Sequence, residues 1–246
     1  MISRTQIFWL VGVVALLSQA APAVAQDISF SLGDEGSISA RTIQLFLLLT
    51  VLSVAPGIAI MVTCFPFLVT VLSILRQGIG LQQSPPNMLI ISLALFLTYF
   101  VMEPVFLAAW SNGIHPLTTN QITVETAFLR SIEPFKNFMM SRVDVDTFLA
   151  LAELRPSTEG TVLDDQAPLS LLIPSFMLSE ITRAFQIGFL IYLPFLIIDL
   201  VVAAILMSMG MMMVPPSVVS LPFKLAFFVV ADGWSLIAGS LVRSYM

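Results

Sequence analysis

Four long apolar stretches constrain this chain more than any other feature: about Ile43 to Val62, Met88 to Trp110, Phe185 to Met209 and Val218 to Val242. Each is close to the roughly 20 residues an α-helix needs to cross a bilayer. With 58% of its 246 residues hydrophobic and 10% charged, the chain exceeds the apolar share of soluble domains, about 45–50%. It belongs in lipid or in a large hydrophobic assembly. The expected fold is all-α, of the integral membrane type.

The stretches form two pairs. Each pair is joined by a short break containing Pro-Pro, Gly78 to Pro86 in the first and Gly210 to Pro216 in the second, so each reads as a helical hairpin with a tight tip. Ser111 to Ile173, between the pairs, holds most of the charges and no spanning run, and reads as a water-facing helical domain. Within it Val124, Ala127, Phe128, Ile132, Phe135, Phe138 and Met139 recur at spacings of three and four, one face of a helix that Pro134 should kink. A shorter helix is expected over Val145 to Leu154 with Asp144 as N-cap.

At the N-terminus Arg4, the apolar run Ile7 to Leu17 and Ala23-Val24-Ala25 make a charged n-region, an h-region too short to span, and an A-x-A cleavage site. The expected organisation is a cleavable signal peptide at 1–25, a periplasmic segment at 26–42, a first hairpin at 43–110, a periplasmic helical domain at 111–178 and a second hairpin at 179–246. Both Pro-Pro tips would then lie in the cytoplasm. The positive-inside rule supports this orientation weakly: Arg76 is the only basic residue near a tip, whereas Arg130, Lys136, Arg142 and Arg155 fall outside.

A net charge of −5 leaves no basic patch for nucleic acid. Cys64, the single cysteine, permits no intrachain disulfide and no cysteine metal cluster, and His115, the single histidine, has no ligand partner at useful spacing. No metal or cofactor is expected. No H-E-x-x-H or G-x-S-x-G run occurs, which disfavours an enzyme.

The stretches carry features that a lipid-facing helix avoids. Pro56, Pro104 and Pro194 interrupt them, and Glu103, Asp199, Lys224 and Asp232 place ionisable groups inside them. Each such group costs at least about 2.5 kcal/mol at mid-bilayer unless it faces water, protein or a partner charge. Shelter of that kind argues for an oligomer around an aqueous path. Asp199 and Lys224 lie about twelve residues before Met211 and after Met212, so at 1.5 Å per residue both sit roughly 18 Å from the tip and can meet. Glu180 of a neighbouring subunit is the rival partner for Lys224. Glu180 and Arg183 share a helix face.

The second tip reads Met209-Gly210-Met211-Met212-Met213-Val214-Pro215-Pro216. Methionine is apolar and adaptable, so a ring of such loops can close an empty space and still re-pack around varied objects. Burial against lipid or a partner is the equal alternative on composition alone.

Several collinear runs carry a family resemblance: Ser179-Glu180, Ala184-Phe185-Gln186-Ile187-Gly188-Phe189, Pro194 to Val201, Met209 to Pro216, Ser220-Leu221-Pro222-Phe223-Lys224-Leu225 and Asp232-Gly233-Trp234. Pro85-Pro86-Asn87 and Leu93 to Thr98 agree. Together they resemble the FliP family over essentially the whole mature chain. The resemblance implies a core subunit of the flagellar type III export gate. It would be a homo-pentamer assembling with FliQ and FliR homologues and other export-apparatus membrane subunits into a closed helical channel for unfolded exported proteins. It implies an address in the bacterial inner membrane and flagellar basal body, with tilted hairpins raised toward the periplasm. The methionines of its pore gasket map to Met209, Met211, Met212 and Met213, and its charged cluster to Glu180 and Lys224, to which geometry adds Arg183 and Asp199. Pro194, Gly210, Pro215 and Pro216 are the expected hinges. Cys64-Phe65-Pro66-Phe67 departs from the family pattern, losing a basic residue and gaining a proline, which suggests local unwinding. The equivalent injectisome subunit and a small-solute transporter are the alternatives.

Overall fold

The computed structural model describes the backbone from Glu35 and the side chains from Thr42, leaving out residues 81–84, 157, 159 and 212. The expected signal peptide at 1–25 and the segment up to residue 34 lie outside the described residues. Those described are helical, with no strand among them: α1 (Glu35–Met61), α2 (Phe65–Ile79), α3 (Asn87–Ala109), α4 (His115–Thr118), α5 (Val124–Arg142), α6 (Val145–Ala152), α7 (Leu169–Ser208), α8 (Pro216–Val230) and α9 (Gly233–Arg243). A π-helical turn, Trp110–Ile114, joins α3 to α4.

Residues 1–52 and 53–246 form separate compact units. Of the first, the described part is helix, and its side chains from Thr42 to Leu52 are all exposed. The second holds two apolar cores. The larger gathers one face of α2, namely Phe67, Leu68, Val71, Leu72, Leu75 and Ile79, against Ile90 and Ala94 of α3, Ala184 and Phe195 of α7, Phe228 of α8, and Ile237 and Leu241 of α9. The smaller joins Met139 of α5 and Phe148 of α6 to Leu171, Leu172 and Phe176 of α7. Burying each large side chain of this kind is worth about 1.5–3 kcal/mol.

The first hairpin differs from its expected form. The chain leaves helical geometry at Val62–Cys64, and Pro66 enters the first turn of α2, where its missing N–H costs nothing. The arm that turns at the Pro-Pro tip toward α3 is therefore α2, and α2 packs chiefly on α7. Small residues make that approach possible. A Cβ on Gly188 of α7 would run into Ile74 of α2, and a Cβ on Gly78 of α2 would lie 2.9 Å from Phe195 of α7. The α2 face has apolar residues at helical spacing, with Arg76 and Gln77 off it, but it falls between the four apolar stretches, none of which marks it as a helix of its own.

α7 passes without a break through residue 178 and over Pro174 and Pro194, so the middle region and the second hairpin share one helix of 40 residues. The Val218 to Val242 run is bent by 61° between α8 and α9. There Asp232 takes a left-handed conformation (φ 47°), and Gly233 lies against the ring of Phe228, leaving no room for a Cβ. Among the described residues three helices are long and apolar enough to cross a membrane, or four if the bent α8–α9 pair counts as one span. Within their apolar windows the described residues bury 0, 22 and 17% of the residues of α1, the α3–α4 stretch and α7.

The middle region forms as its local pattern dictates. Thr123 caps α5 by accepting from the Thr126 N–H, and Asp144 caps α6 by accepting from the Asp146 N–H. Asp144 in turn donates its N–H to Ser179 Oγ at 3.0 Å, tying this corner to α7.

Candidate functional site

The second hairpin positions Asp199 on α7 opposite Lys224 on α8. Lys224 Nζ donates to Asp199 Oδ2 at 2.6 Å, and Ser220 Oγ, one turn before Lys224, donates to Asp199 Oδ1 at 2.5 Å. Lys224 is 5% exposed. Its ammonium also lies beside Gly80, the left-handed C-cap of α2 (φ 87°), where the helix presents the negative end of its dipole. The buried cation thus has a carboxylate on one side and a helix terminus on the other. Equal distance from the tip put both arms in register, and Ser220 follows from the i, i+4 geometry of α8.

Within one chain Glu180 does not join that pair. It belongs to a second knot, about 28 Å away along α7 at 1.5 Å per residue. Glu180 is fully buried, and its Oε1 accepts from Arg142 Nε at 3.1 Å and from Arg183 Nη1 at 3.3 Å. The Tyr245 hydroxyl donates to Oε2. Arg142 also donates from Nη1 to the Ser244 carbonyl at 2.8 Å and sets its guanidinium 4.1 Å from the centre of the Tyr245 ring. The expected cluster of Glu180, Arg183, Asp199 and Lys224 is therefore two clusters. Arg142 and Tyr245 were missed because they lie far from Glu180 in the chain, and no local spacing rule connects them.

Around this knot, burial pushes the Tyr245 phenol well above its usual range, and the neighbouring Glu180 carboxylate adds to the effect. Burial likewise pushes the Cys64 thiol up to about 12. Cys64 is enclosed at the start of α2, as a small apolar side chain would be.

The tip follows from its glycine. Gly210 (φ 75°) donates to the Met207 carbonyl and Met211 to the Leu206 carbonyl, at 3.1 and 3.0 Å, the paired bonds of a Schellman stop. Pro215 then caps α8 and Pro216 occupies its first turn. Met209 and Met211 are exposed, and Met213 is 97% exposed. Met212 lies outside the described residues. Pro194 sits within continuous helix. His115 is exposed in the short α4, and no group of His, Cys, Asp and Glu among the described residues could hold a metal ion.

The FliP family model matches residues 48–241. The chain is 49% identical over 238 residues to the flagellar biosynthetic protein FliP of Rhizobium meliloti (strain 1021), covering 95% of this chain and 97% of that protein. It is 50% identical over 241 residues to the flagellar biosynthetic protein FliP of Agrobacterium fabrum, covering 96 and 98%. It is 46% identical over 220 residues to the flagellar biosynthetic protein FliP of Bacillus subtilis, covering 88 and 97%.

Proposed function

The chain belongs to the FliP family, and on that premise we propose that it is a core subunit of the flagellar protein export gate. The observation that carries this reading is near full-length similarity to proteins named for flagellar biosynthesis, at 49 and 50% identity. The role is structural and not enzymatic.

In this reading several copies, five by family analogy, enclose a channel with FliQ and FliR homologues and other membrane subunits of the export apparatus. Unfolded cargo proteins thread it. The exposed Met209, Met211 and Met213 support a gasket role: a ring of such tips is apolar enough to exclude ions when empty and flexible enough to yield to cargo. The two buried ion clusters, with Asp199 and Lys224 in one and Glu180 and Arg183 in the other, hold the arms in register. Pro194, Gly210, Pro215 and Pro216 shape the α7–tip–α8 hairpin. Unburied apolar windows on the membrane-capable helices support an inner-membrane or basal-body setting with many neighbours. The domain scheme proposed is a signal peptide at 1–25, a periplasmic segment at 26–42, hairpins at 43–110 and 179–246, and a periplasmic domain at 111–178.

Flagellar rather than injectisome duty is favoured because the similar proteins cited are flagellar. The test is co-expression with FliQ and FliR homologues, mass measurement of the detergent-purified complex, and complementation of a non-motile deletion strain. A multimeric complex that restores motility is expected. A monomer that restores nothing would overturn the reading.

A further inference from the structure

Tyr245 sits in a seat built from three helices that are remote in sequence. Its ring meets Phe67 of α2 edge-on, with centroids 5.4 Å apart, and stacks on Phe138 of α5 at 6.1 Å. Arg142 of α5 covers one face, and Glu180 of α7 accepts the hydroxyl. These are the groups that recognise a phenol in general: aromatic edges, a cation on the π face and a carboxylate for the O–H.

The seat has an inside and an outside. Tyr245 is partly exposed and packs on the core that holds Cys64 and Phe67, which, like Glu180, have no exposure at all. The ring is carried by residues that follow α9 and is fastened there by the Ser244 carbonyl accepting from Arg142. Arg142 Nη2 is buried and has no hydrogen-bond partner among the described residues. Water admitted by withdrawal of the ring would satisfy that donor, which lowers the cost of opening.

We propose that this seat is a phenol-binding site occupied by the chain's own Tyr245, with Ser244–Tyr245 acting as a strap that closes over Glu180 and Cys64. The strap fastens α9 to α2, α5 and α7, and its withdrawal opens a path to the interior. The inference does not depend on the export role.

Cys64 is the only cysteine, so the native chain carries its own reporter. The experiment measures the rate at which methyl methanethiosulfonate modifies Cys64 in full-length protein in detergent, with and without p-cresol. Wild type is expected to react slowly and to ignore p-cresol. Tyr245→Ala is expected to react about 10-fold faster or more, as a locally opened site does, and p-cresol is expected to slow it by refilling the vacated seat. Tyr245→Phe, which keeps the ring and loses the hydroxyl, is expected to fall between. Equal rates in wild type and Tyr245→Ala would overturn the proposal. Fast labelling of Tyr245→Ala that p-cresol leaves unchanged would also overturn it, because that is the signature of a collapsed fold and not of an emptied phenol seat.

Discussion

Lys224 and Asp199 form an ion pair of unequal burial: the Lys224 side chain is 7% exposed and lies 2.6 Å from a carboxylate whose side chain is 32% exposed. The two partners therefore do not carry equal risk when one is removed. Asp199→Ala strands an ammonium with little water and is expected to destabilise the protein by about 3–5 kcal/mol. Lys224→Met leaves a carboxylate that still has Ser220 and some solvent, and is expected to cost about 1–3 kcal/mol. Thermal unfolding in detergent gives the order, and the Asp199→Asn, Lys224→Met double variant should recover part of the loss. Equal costs for the two single variants would show that the pair is not buried asymmetrically.

The contact between α2 and α7 rests on Gly188 accepting Ile74 at its surface. Gly188→Val is expected to overpack this contact at a cost of about 1–3 kcal/mol, and Ile74→Ala should relieve it. A double variant no more stable than Gly188→Val would argue against the close approach.

Replacing Met211, Met212 and Met213 together by Ala is expected to leave assembly intact while raising ion leak through the complex, because shorter side chains widen an apolar constriction and let it wet. Conductance in planar bilayers and the mass of the complex are the two measurements. An assembled, export-competent variant with wild-type leak would remove the gasket from the proposal.

Alkaline pH should loosen the fold through two buried protonated groups. Cys64 and Tyr245 both bind their protons more tightly in the folded chain than in the unfolded one, so the unfolded state releases them first and stability falls as pH rises. For Cys64 the window runs from its ordinary value of 9.0 to about 12. Unfolding temperature scanned from pH 8 to about 11 is expected to drop, and Cys64→Val to flatten part of the drop. A wild-type curve no steeper than that of Cys64→Val would contradict the thiol's burial.

The charged cluster shows how far residues alone carry the interpretation. Glu180 and Arg183 could be paired from their spacing, and Asp199 and Lys224 from their equal distance to the tip, because both are consequences of helical rise and turn. Arg142 belonged in sequence to a domain read as water-facing, and its place against Glu180 depends on how α5 lies on α7. Tyr245 reaches the same carboxylate only because Asp232 and Gly233 turn the chain by 61° and return α9 toward α2.

The sequence by itself determined the helical class, the apolar runs able to enter a membrane, the Gly210 stop with its methionine tip, and the cap at Asp144, since each depends on residues within a few positions of one another. Only the tertiary structure decided that α2 is a separate arm docked on α7, that four charges fall into two knots, and that Tyr245 closes one of them. The reason is that the break at Val62–Cys64 starts a new helix and the bend at Asp232 changes the direction of the helix that follows it. Periodicity records which face of a helix is apolar, but the direction in which that helix leaves a corner is settled by what it meets.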